Sequence, residues 1–517
     1  MRIITLSDIK LSLDKDEREL FRIATKKLGK SPRYFRIRKK SLDARNKSDV
    51  RFVYTIEFSD EEQRQTPQSL ERLRATKQPT NPVLVVGSGP AGLFCARRLL
   101  ERGITPIVIE RGAPVEERER KIDAFFQTAR LDTDTNIQFG EGGAGTFSDG
   151  KLNTQTHSPL NGEVLQIFAK FGAPEEILWL NKPHIGSDNL KKVVKNMREY
   201  ILEQGGQVRF HTRLTDIYTK DGSISSVALT NTQTGVEQRL EVSALVLAIG
   251  HSARDTFEML LRKGVSMRQK DFAVGVRIEH LQSAISLAQY GKAYTRLPAA
   301  DYKLVSHAAD RGVFTFCMCP GGFVMPAASE EGGVVTNGMS NYARDGKNAN
   351  AALIAQVTRA DFKDDNPLAG VDYQRQIERA AYLAGGANYK APVQTVGDFL
   401  RNKQSDTFGT ISPTYALGTS FADMRSVLPP PIVQALQTAI TDMDKKLGGF
   451  ATPDALITGA ETRTSSPVRI ERDDDFQSIS VKGVYPCGEG AGYAGGITSS
   501  AADGIRVADA VFAEFLR

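Results

Sequence analysis

The sequence predicts an α/β fold in which a split Rossmann-type domain is interrupted by an inserted α+β domain and preceded by a small α/β module. Three observations predict it. A βαβ pattern with a glycine-rich turn begins at Pro82, the composition shifts towards Gly, Ala and Asn near Asp271, and strand, glycine turn and helix return at the C-terminus. A chain of 517 residues is long enough for roughly two to four domains.

Composition places the chain among ordinary globular proteins, with 40% apolar and 25% charged residues. No run of about 18 apolar residues is present, and charges interrupt the N-terminus where a signal peptide needs an apolar core. We therefore expect a cytoplasmic protein without a membrane span. The four cysteines (Cys95, Cys317, Cys319 and Cys487) lack the CxxC spacing of a zinc site, so we expect reduced thiols and no metal.

Residues 1–60 form the predicted N-terminal module, and the polar, proline-containing stretch 61–81 is the predicted linker. Hydrophobic periodicity predicts a strand at Met1–Leu6, a helix at Lys15–Leu28, and strands at Tyr34–Lys40 and Val50–Phe58. The first 50 residues carry 15 Lys or Arg against 7 Asp or Glu, which concentrates the positive charge of the chain here. Two interpretations stay open: a solvated surface, or a surface that binds RNA phosphates.

The pattern GxGxxG occurs three times, beginning at Gly87, Gly140 and Gly490. Only the first follows a buried strand, opens a helix, and is followed at the end of the next strand by an acid, Glu110. In this context the glycines allow a tight turn and a close approach of a pyrophosphate to the helix N-terminus, and Glu110 would accept hydrogen bonds from ribose hydroxyls. The turn therefore predicts a dinucleotide site.

The first motif alone leaves NAD and FAD open, because both present an ADP group to the same turn. The C-terminal stretch GVYPCGEGAGYAGGITSSAADG favours FAD, since an extended flavin needs a second contact far along the chain. A helix that begins near Gly496 would stabilise the negative charge that develops on a reduced flavin. The glycine-rich stretch Asn136–Leu152 is a third predicted contact.

Together these segments predict a flavin domain in two parts, 82–270 and 451–517, around an inserted domain at 271–450. In the first part we expect a helix at Ser187–Gln204 and a strand at Ala244–Ile249 that ends abruptly at Gly250. In the insertion we expect strands at Phe272–Ile278 and Gly312–Met318, and helices at Asn350–Ala360, Gln374–Leu383 and Pro431–Leu447.

The stretches VVGSGPAGLFCARRLLERG, NIQFGEGGAGTFSDGKLNT, TFCMCPGG, NGMSNYARDGKNAN, ETRTSSPVRI and YPCGEGAGYAGGITSSAADGIRVADA resemble a family of bacterial FAD-dependent proteins within the glutathione-reductase-like flavoprotein superfamily. The resemblance spans nearly the whole chain. It implies bound FAD and a dehydrogenase-like activity, without a substrate. We expect the FAD to be non-covalently bound, because the sequence shows no compelling nucleophile for a covalent link.

The expected FAD contacts fall in three groups. At the ADP half they are Gly87, Ser88, Gly89, Pro90, Ala91, Gly92, Glu110 and Arg111, with Ala248 and Gly250 nearby. At the diphosphate and flavin they are Arg118, Phe139, Gly140, Gly142, Gly143, Ala144, Gly145, Thr146, Asp149, Gly150, Lys151 and Leu152. At the C-terminal end they are Gly488, Glu489, Gly496, Ile497 and Thr498.

Candidates for the reaction itself rest on fewer signals. Arg463 precedes the return to the flavin domain and could pair with an anionic substrate or with the reduced flavin; the alternative is a structural ion pair at the domain junction. Cys317 and Cys319 lie two apart on a predicted strand and should point to one face, as a dithiol or as buried apolar residues. His251 and His307 are possible proton donors without a visible partner.

These observations predict an FAD-dependent oxidoreductase that passes hydride between flavin N5 and an unidentified small molecule. No second nucleotide motif occurs between Asp271 and Gly449, so NAD(P)H could serve as a transient electron donor, or the electrons could come from the substrate or from a protein carrier. An RNA-directed flavoenzyme and a flavin-binding sensor without turnover are the alternatives. The direction of the reaction and the oligomeric state stay open.

Overall fold

The computed structural model describes residues 3–62, 74–75, 79–154, 156–362 and 364–516. Most of the predicted linker, 61–81, lies outside the described residues. Among the helices that are described, none has the length and apolar character needed to cross a bilayer.

The N-terminal module is an antiparallel sheet of three strands in the order β1-β3-β2, with one helix packed on it. Its elements are β1 (Ile4–Ser12), α1 (Arg18–Leu28), β2 (Tyr34–Asp43) and β3 (Arg51–Ser59). The small core forms where Leu20 and Ala24 of the amphipathic helix meet Tyr54, Ile56 and Phe58 of the central strand. All four predicted elements are present, although β1 begins and ends later than the sequence predicts.

The nucleotide domain is built on five parallel strands in the order β22-β10-β4-β5-β6. Its first part contains β4 (Val83–Val86), α2 (Pro90–Glu101), β5 (Pro106–Ile109), α3 (Val115–Thr128), α4 (Leu160–Lys170), α5 (Ser187–Glu203), β6 (Gln207–Arg209), β7 (Thr212–Lys220), β8 (Ser223–Asn231), β9 (Glu237–Glu241), β10 (Ala244–Leu247), α6 (Arg254–Arg262) and β11 (Met267–Gln269). The three central strands are apolar and buried along their length, as expected for a parallel sheet covered on both faces.

The inserted domain is built on seven strands in the order β13-β14-β17-β12-β20-β18-β19. Its elements are β12 (Phe272–Leu281), α7 (Gln282–Tyr290), β13 (Val305–Ser306), β14 (Val313–Cys319), β15 (Phe323–Pro326), β16 (Thr336–Met339), β17 (Asn348–Val357), α8 (Ala369–Ala384), β18 (Ala391–Thr395), α9 (Val396–Leu400), β19 (Thr419–Phe421), α10 (Pro430–Lys446) and β20 (Leu456–Glu461). Helix α10 contributes much of the apolar face that covers this sheet.

Two expectations for the insertion need correction. Most of the predicted helix at Asn350–Ala360, up to Val357, belongs to strand β17, which pairs along its length with β12 and also pairs with β14. Its alanines favour helix in isolation, but a central position between two strands buries them and decides the conformation. Strand β20 pairs with β12 and β18, so the insertion continues past residue 450 to at least Glu461.

The chain returns to the nucleotide domain with β21 (Val468–Ile470), β22 (Val484–Pro486) and α11 (Ile497–Glu514). Helix α11 packs directly against α2, and a Cβ at Gly504 would lie only 2.1 Å from the carbonyl oxygen of Ala91. This close approach brings the N-terminal ends of both helices to one side of the sheet. The distant glycine segments of the sequence therefore meet in space.

Candidate functional site

A cavity of about 330 Å³ lies at the carboxyl ends of the parallel strands, a volume within the range of ligand pockets, ~300–1,000 Å³. It extends from the turn after β4 to the residues around Phe316 and Cys317 of the inserted sheet. Helices α2 and α11 both begin at its wall. Its position at the strand ends, with two helix N-termini facing it, suits an elongated anionic ligand.

The first glycine turn is shaped by close backbone contacts. A Cβ at Gly87 would lie 2.3 Å from the carbonyl oxygen of Ala248, and Gly87 has a φ of 103°, which disfavours any other residue. A Cβ at Gly92 would lie 1.9 Å from the carbonyl oxygen of Gly87. At Gly89, by contrast, the nearest atom to a Cβ is the Cα of Gly143 at 3.9 Å. Two glycines thus serve packing, and the third leaves open space at the cavity.

Glu110 lies at the end of β5 as predicted, lines the cavity and is 6% exposed. Its Oε2 accepts hydrogen bonds from the backbone N–H and the hydroxyl of Ser88, and its Oε1 accepts from the N–H groups of Gly112 and Gly140. These four donors fill the acceptor positions of a carboxylate. A ribose hydroxyl can therefore reach Glu110 most readily by displacing the rotatable hydroxyl of Ser88.

Arg111 forms one wall of the cavity beside Glu110. Its guanidinium lies 4.3 Å from the ring centroid of Phe139 and donates to Asp255 Oδ1 at 2.7 Å. The stacked, paired guanidinium presents a rigid planar surface rather than a free charge.

Arg118 contacts the glycine-rich loop instead of the cavity. Its fully buried guanidinium donates hydrogen bonds to five loop carbonyls, at distances between 2.6 and 3.2 Å. The acceptors belong to Asn136, Ile137, Gly140, Glu141 and Gly143. The sequence expectation of an approach to the diphosphate is therefore replaced by an indirect role: Arg118 fixes the loop that lines the cavity.

Lys151 and Asp149 follow that loop. Asp149 is fully buried and accepts from Arg344 at 2.6 and 2.9 Å, and Lys151 Nζ lies 3.5 Å from Asp149 Oδ2. The Lys151 ammonium is buried and makes no hydrogen bond within the described part of the chain, yet the residue lines the cavity. Asp149 balances the charge of this ammonium, but its N–H donors stay free among the described residues, which suits a ligand that offers oxygen acceptors.

The C-terminal glycine segment forms the other end of the cavity. Glu489 lines it, and the described residues offer its carboxylate neither a hydrogen bond nor an ion pair. Burial raises the pKa of Glu489 to about 7, with Lys270 opposing the rise and Cys317 adding to it. Thr498 donates to the carbonyl oxygen of Leu152 at 2.8 Å, which ties the start of α11 to the middle segment.

The structure gathers most of the predicted cofactor residues around this cavity. Those that line it are Gly87, Gly89, Pro90, Ala91, Glu110, Arg111, Phe139, Gly143, Ala144, Gly145, Gly150, Lys151, Ala248, Gly250, Glu489, Gly496 and Ile497. Those that lie behind its wall are Ser88, Gly92, Arg118, Gly140, Gly142, Thr146, Asp149, Leu152, Gly488 and Thr498. Sequence reasoning missed further lining residues on either side, including Gln138, Asn153, Thr212, Arg213, Thr256, Asn337 and Glu461.

The candidate residues for the reaction differ in whether they line the cavity and in which partners they contact. Arg463 lines the cavity, but its Nε and Nη2 donate to the carboxylate of Glu378, as the structural alternative predicts. His251 also lines the cavity, and burial, followed by the charges of Arg463 and Arg254, lowers its pKa to about 3. His307 is exposed on the inserted domain, away from the cavity.

Cys317 and Cys319 lie at an irregularity of β14, so the regular strand alternation assumed from the sequence does not decide where their side chains point. A bulge interrupts the pairing of β14 with β17 between Phe316 and Cys319, and Cys317 has a left-handed φ of 40°. Cys317 therefore lines the cavity, while Cys319 is completely buried. The strand alternation assumed from the sequence does not extend through a bulge.

Comparison with family models matches three segments of the chain. Residues 3–59 match a domain of unknown function, residues 80–121 match an FAD binding domain, and residues 271–464 match the C-terminal domain-like model of FAD-dependent proteins. The last match supports the observed extension of the insertion beyond residue 450. The FAD binding match contains the first glycine turn and Glu110.

Among curated proteins, the chain is 45% identical over 533 residues to a protein of Clostridium beijerinckii described as uncharacterized, covering 99% of both chains. Among solved structures, it is similar to the flavin-dependent brominase Bmp2, at 13% identity and a TM-score of 0.40, covering 85% of this chain and 80% of the other. It is also similar to a geranylgeranyl bacteriochlorophyll reductase-like protein of Thermoplasma acidophilum, at 11% identity and a TM-score of 0.37, covering 84% and 79%.

The residues at the cavity fit FAD. The family match gives the cofactor, and the Lys151 ammonium, which makes no hydrogen bond among the described residues, supplies with the two helix N-termini partners for a diphosphate and for negative charge on the isoalloxazine. FAD is therefore the cofactor of this chain.

Proposed function

This chain belongs to the family of its Clostridium beijerinckii relative, a family of FAD-dependent proteins, and from that premise we propose that it is an oxidoreductase that passes hydride between flavin N5 and a small molecule. Bound FAD supplies the hydride acceptor or donor. The observation that carries the proposal is the continuity of one cavity from the first glycine turn to the inserted sheet. A cofactor extended along it would meet its substrate between the two domains.

The nucleotide domain supplies binding and orientation. The N-terminus of α2 faces the cavity with N–H groups that have no intrahelical partner, and Gly89 leaves space for a phosphate there. Lys151 would pair with cofactor oxygens in the middle of the cavity. The N-terminus of α11 would stabilise negative charge on the reduced flavin, which favours reduction.

The inserted domain supplies the substrate end. This domain contributes Phe316, Cys317, Asn337 and Glu461 to the cavity wall. We propose a small polar substrate here, because the Asn337 amide lines the cavity on the same side as the Phe316 ring, whereas both oxygens of Glu461 are held by Arg277. Arg463 is not its anion partner in this proposal, since Glu378 already occupies that guanidinium on two atoms.

We propose a small molecule rather than RNA as the partner. In the N-terminal module, many basic side chains are engaged by acids, as in the pairs Lys40 with Glu17, at 2.6 Å, and Arg51 with Asp49, at 2.8 Å. Cations paired in this way release fewer counterions on binding a nucleic acid. We further propose that electrons reach the flavin from the substrate or from NAD(P)H that binds transiently, and that the protein acts in the cytoplasm.

The test begins with the purified protein and its absorbance spectrum. We expect bound FAD that is bleached anaerobically by NAD(P)H or by one class of small-molecule donor, and that is reoxidised when an acceptor is added. A flavin that stays oxidised with every donor, or never cycles, contradicts the oxidoreductase and favours a sensor. Binding of RNA that weakens steeply with salt and is lost on deletion of residues 1–60 supports the RNA-directed alternative.

The cofactor site is tested with Gly89→Glu. The backbone at Gly89 has a φ of −73°, which any residue tolerates, and the space beside it is open, so the variant should fold. Its carboxylate would repel the diphosphate, and we expect FAD content to fall at least tenfold. Gly162→Glu on the surface of α4, where a Cβ also meets nothing within 4 Å, is the matched control. Full FAD retention in a folded Gly89→Glu protein would contradict the site.

A further inference from the structure

Strand β14 carries two cysteines where it reaches the flavin cavity: Cys317 lines the cavity, and Cys319, two residues further on, is completely buried. The bulge opposite β17 lies at this point, and the left-handed φ of 40° at Cys317 is rarely adopted by residues with a side chain. Bulges often re-aim a side chain beside an active site. Here the bulge turns Cys317 out of the sheet and towards the cavity.

The unusual backbone is held in place by two hydrogen bonds to one atom. Arg277 Nη1 donates to the carbonyl oxygen of Cys317 at 2.9 Å, and the thiol of Cys319 donates to the same oxygen at 3.2 Å. Arg277 is itself fully buried and pairs with Glu461 at 2.6 and 3.1 Å. The Cys319 sulfur therefore lies close to the backbone of Cys317, beside the positively charged guanidinium of Arg277.

Electrostatics favour a thiolate at the cavity wall. A side-chain hydrogen bond between the Cys319 thiol and the Cys317 sulfur lowers the pKa of Cys317, the charges of Arg277 and Lys151 lower it further, and burial opposes them. The pKa of Cys319 is raised by the same hydrogen bond and by burial. A thiolate beside a thiol is the arrangement from which a disulfide forms.

The other two cysteines differ from this pair. Cys95 on α2 and Cys487 after β22 are completely buried in the nucleotide domain, and burial raises the pKa of both thiols. For neither thiol is the charge of a basic side chain the largest effect on its pKa. The chain therefore contains two reference thiols against which Cys317 and Cys319 can be compared.

We propose that Cys317 and Cys319 are a redox-active pair that exchanges two electrons with the FAD of the same cavity. The inference rests on the proposed function, because it needs FAD at this position. In the oxidising direction, the Cys317 thiolate and the Cys319 thiol form an S–S bond and release one proton and two electrons. FAD takes up that proton and both electrons as the reduced anion, so charge and atoms balance without another oxidant.

The experiment is an anaerobic dithionite titration of the oxidised holoprotein, followed by its flavin absorbance. We expect four electrons per FAD in the wild-type protein, two for the flavin and two for the disulfide. Cys317→Ser and Cys319→Ser should each take up two, and Cys95→Ser, the matched control, should still take up four. Two electrons per FAD in the wild type would overturn the proposal.

A second measurement does not depend on variants. The oxidised and the reduced wild-type protein are alkylated, digested without reductant and analysed by mass spectrometry. We expect the peptide that contains both cysteines to be unalkylated and lighter by two hydrogens only after oxidation. Alkylation of both sulfurs in the oxidised protein would overturn the proposal even if the flavin is present. A purified protein without flavin would contradict the proposed function instead.

Discussion

Arg463 and Glu378 form a two-point ion pair, with Nε–Oε1 and Nη2–Oε2 distances of 3.0 Å. Arg254, in the nucleotide domain, donates hydrogen bonds to the same carboxylate at 2.8 and 2.9 Å. Glu378 lies on α8 of the inserted domain and is 2% exposed. One buried carboxylate therefore bridges two guanidinium groups and fixes the junction at which the cavity opens.

Glu378→Gln keeps the shape of this side chain and removes its charge. Two buried guanidinium groups would then face each other with only the partly exposed Glu330 to balance their charge, and we expect the free energy of unfolding to fall by about 3–5 kcal/mol. Chemical denaturation monitored by circular dichroism measures the change. Glu330→Gln is the matched control, because the Glu330 side chain contacts the same arginines but is 33% exposed. An equal loss in both variants would contradict the bridging role.

Arg118→Met tests the loop that lines the cavity. Methionine fills much of the space but cannot donate, so five buried carbonyls would lose a partner, at about 1–3 kcal/mol for each that stays unsatisfied. We expect lower stability and a weaker affinity for FAD, measured by thermal unfolding and by flavin release on dilution. The exposed neighbour Arg120 gives the control variant Arg120→Met. Unchanged FAD affinity in Arg118→Met would show that the loop forms without it.

The first βαβ unit could be predicted because its information is local. Gly87, Gly92 and Glu110 occupy fixed offsets around one strand and one helix, and the structure places each where the motif requires. The role of Arg118 could not be read in the same way. Its acceptors are backbone carbonyls of a loop about 20 residues away, and carbonyls leave no signature in a sequence.

Errors in the insertion also have a physical origin. Strand β17 contains four alanines and reads as helix by propensity, but its pairing with β12 and β14 outweighs that preference. The position of Cys317 depends on a bulge, and a bulge depends on how two distant strands align. The part of the cavity wall that the insertion forms could therefore not be predicted from the sequence.

The pH dependence of stability tests the environment of His251. Its pKa falls from 6.5 to about 3 in the folded protein, chiefly through burial and then through Arg463 and Arg254. Between these values the unfolded chain binds a proton that the folded chain does not, so this contribution to stability is complete above pH 6.5 and is lost as the pH falls towards 3. We expect His251→Gln to lose less stability than the wild type between pH 6.5 and about 4.

Urea denaturation at a series of pH values measures this difference. The exposed residue His307 provides the control, and His307→Gln should follow the wild-type curve. Parallel curves for the wild type and His251→Gln would mean that the imidazole titrates alike in the folded and unfolded states.

Arg277→Lys tests how the reactive geometry of Cys317 is held. A lysine keeps the positive charge near Glu461 but has no planar fork, so it cannot hold both oxygens of Glu461 and the carbonyl oxygen of Cys317 at once. We expect the pKa of the Cys317 thiol to rise towards its usual value and its alkylation at pH 7 to slow several-fold, while FAD content stays unchanged. The rate at which iodoacetamide labels the peptide that contains Cys317 is measured as a function of pH, and its midpoint gives the pKa of the thiol. Arg254→Lys, a comparable change at the domain junction, is the control and should leave the midpoint pH of labelling unchanged. If the midpoint is also unchanged in Arg277→Lys, other charges in the cavity account for the low pKa of the Cys317 thiol.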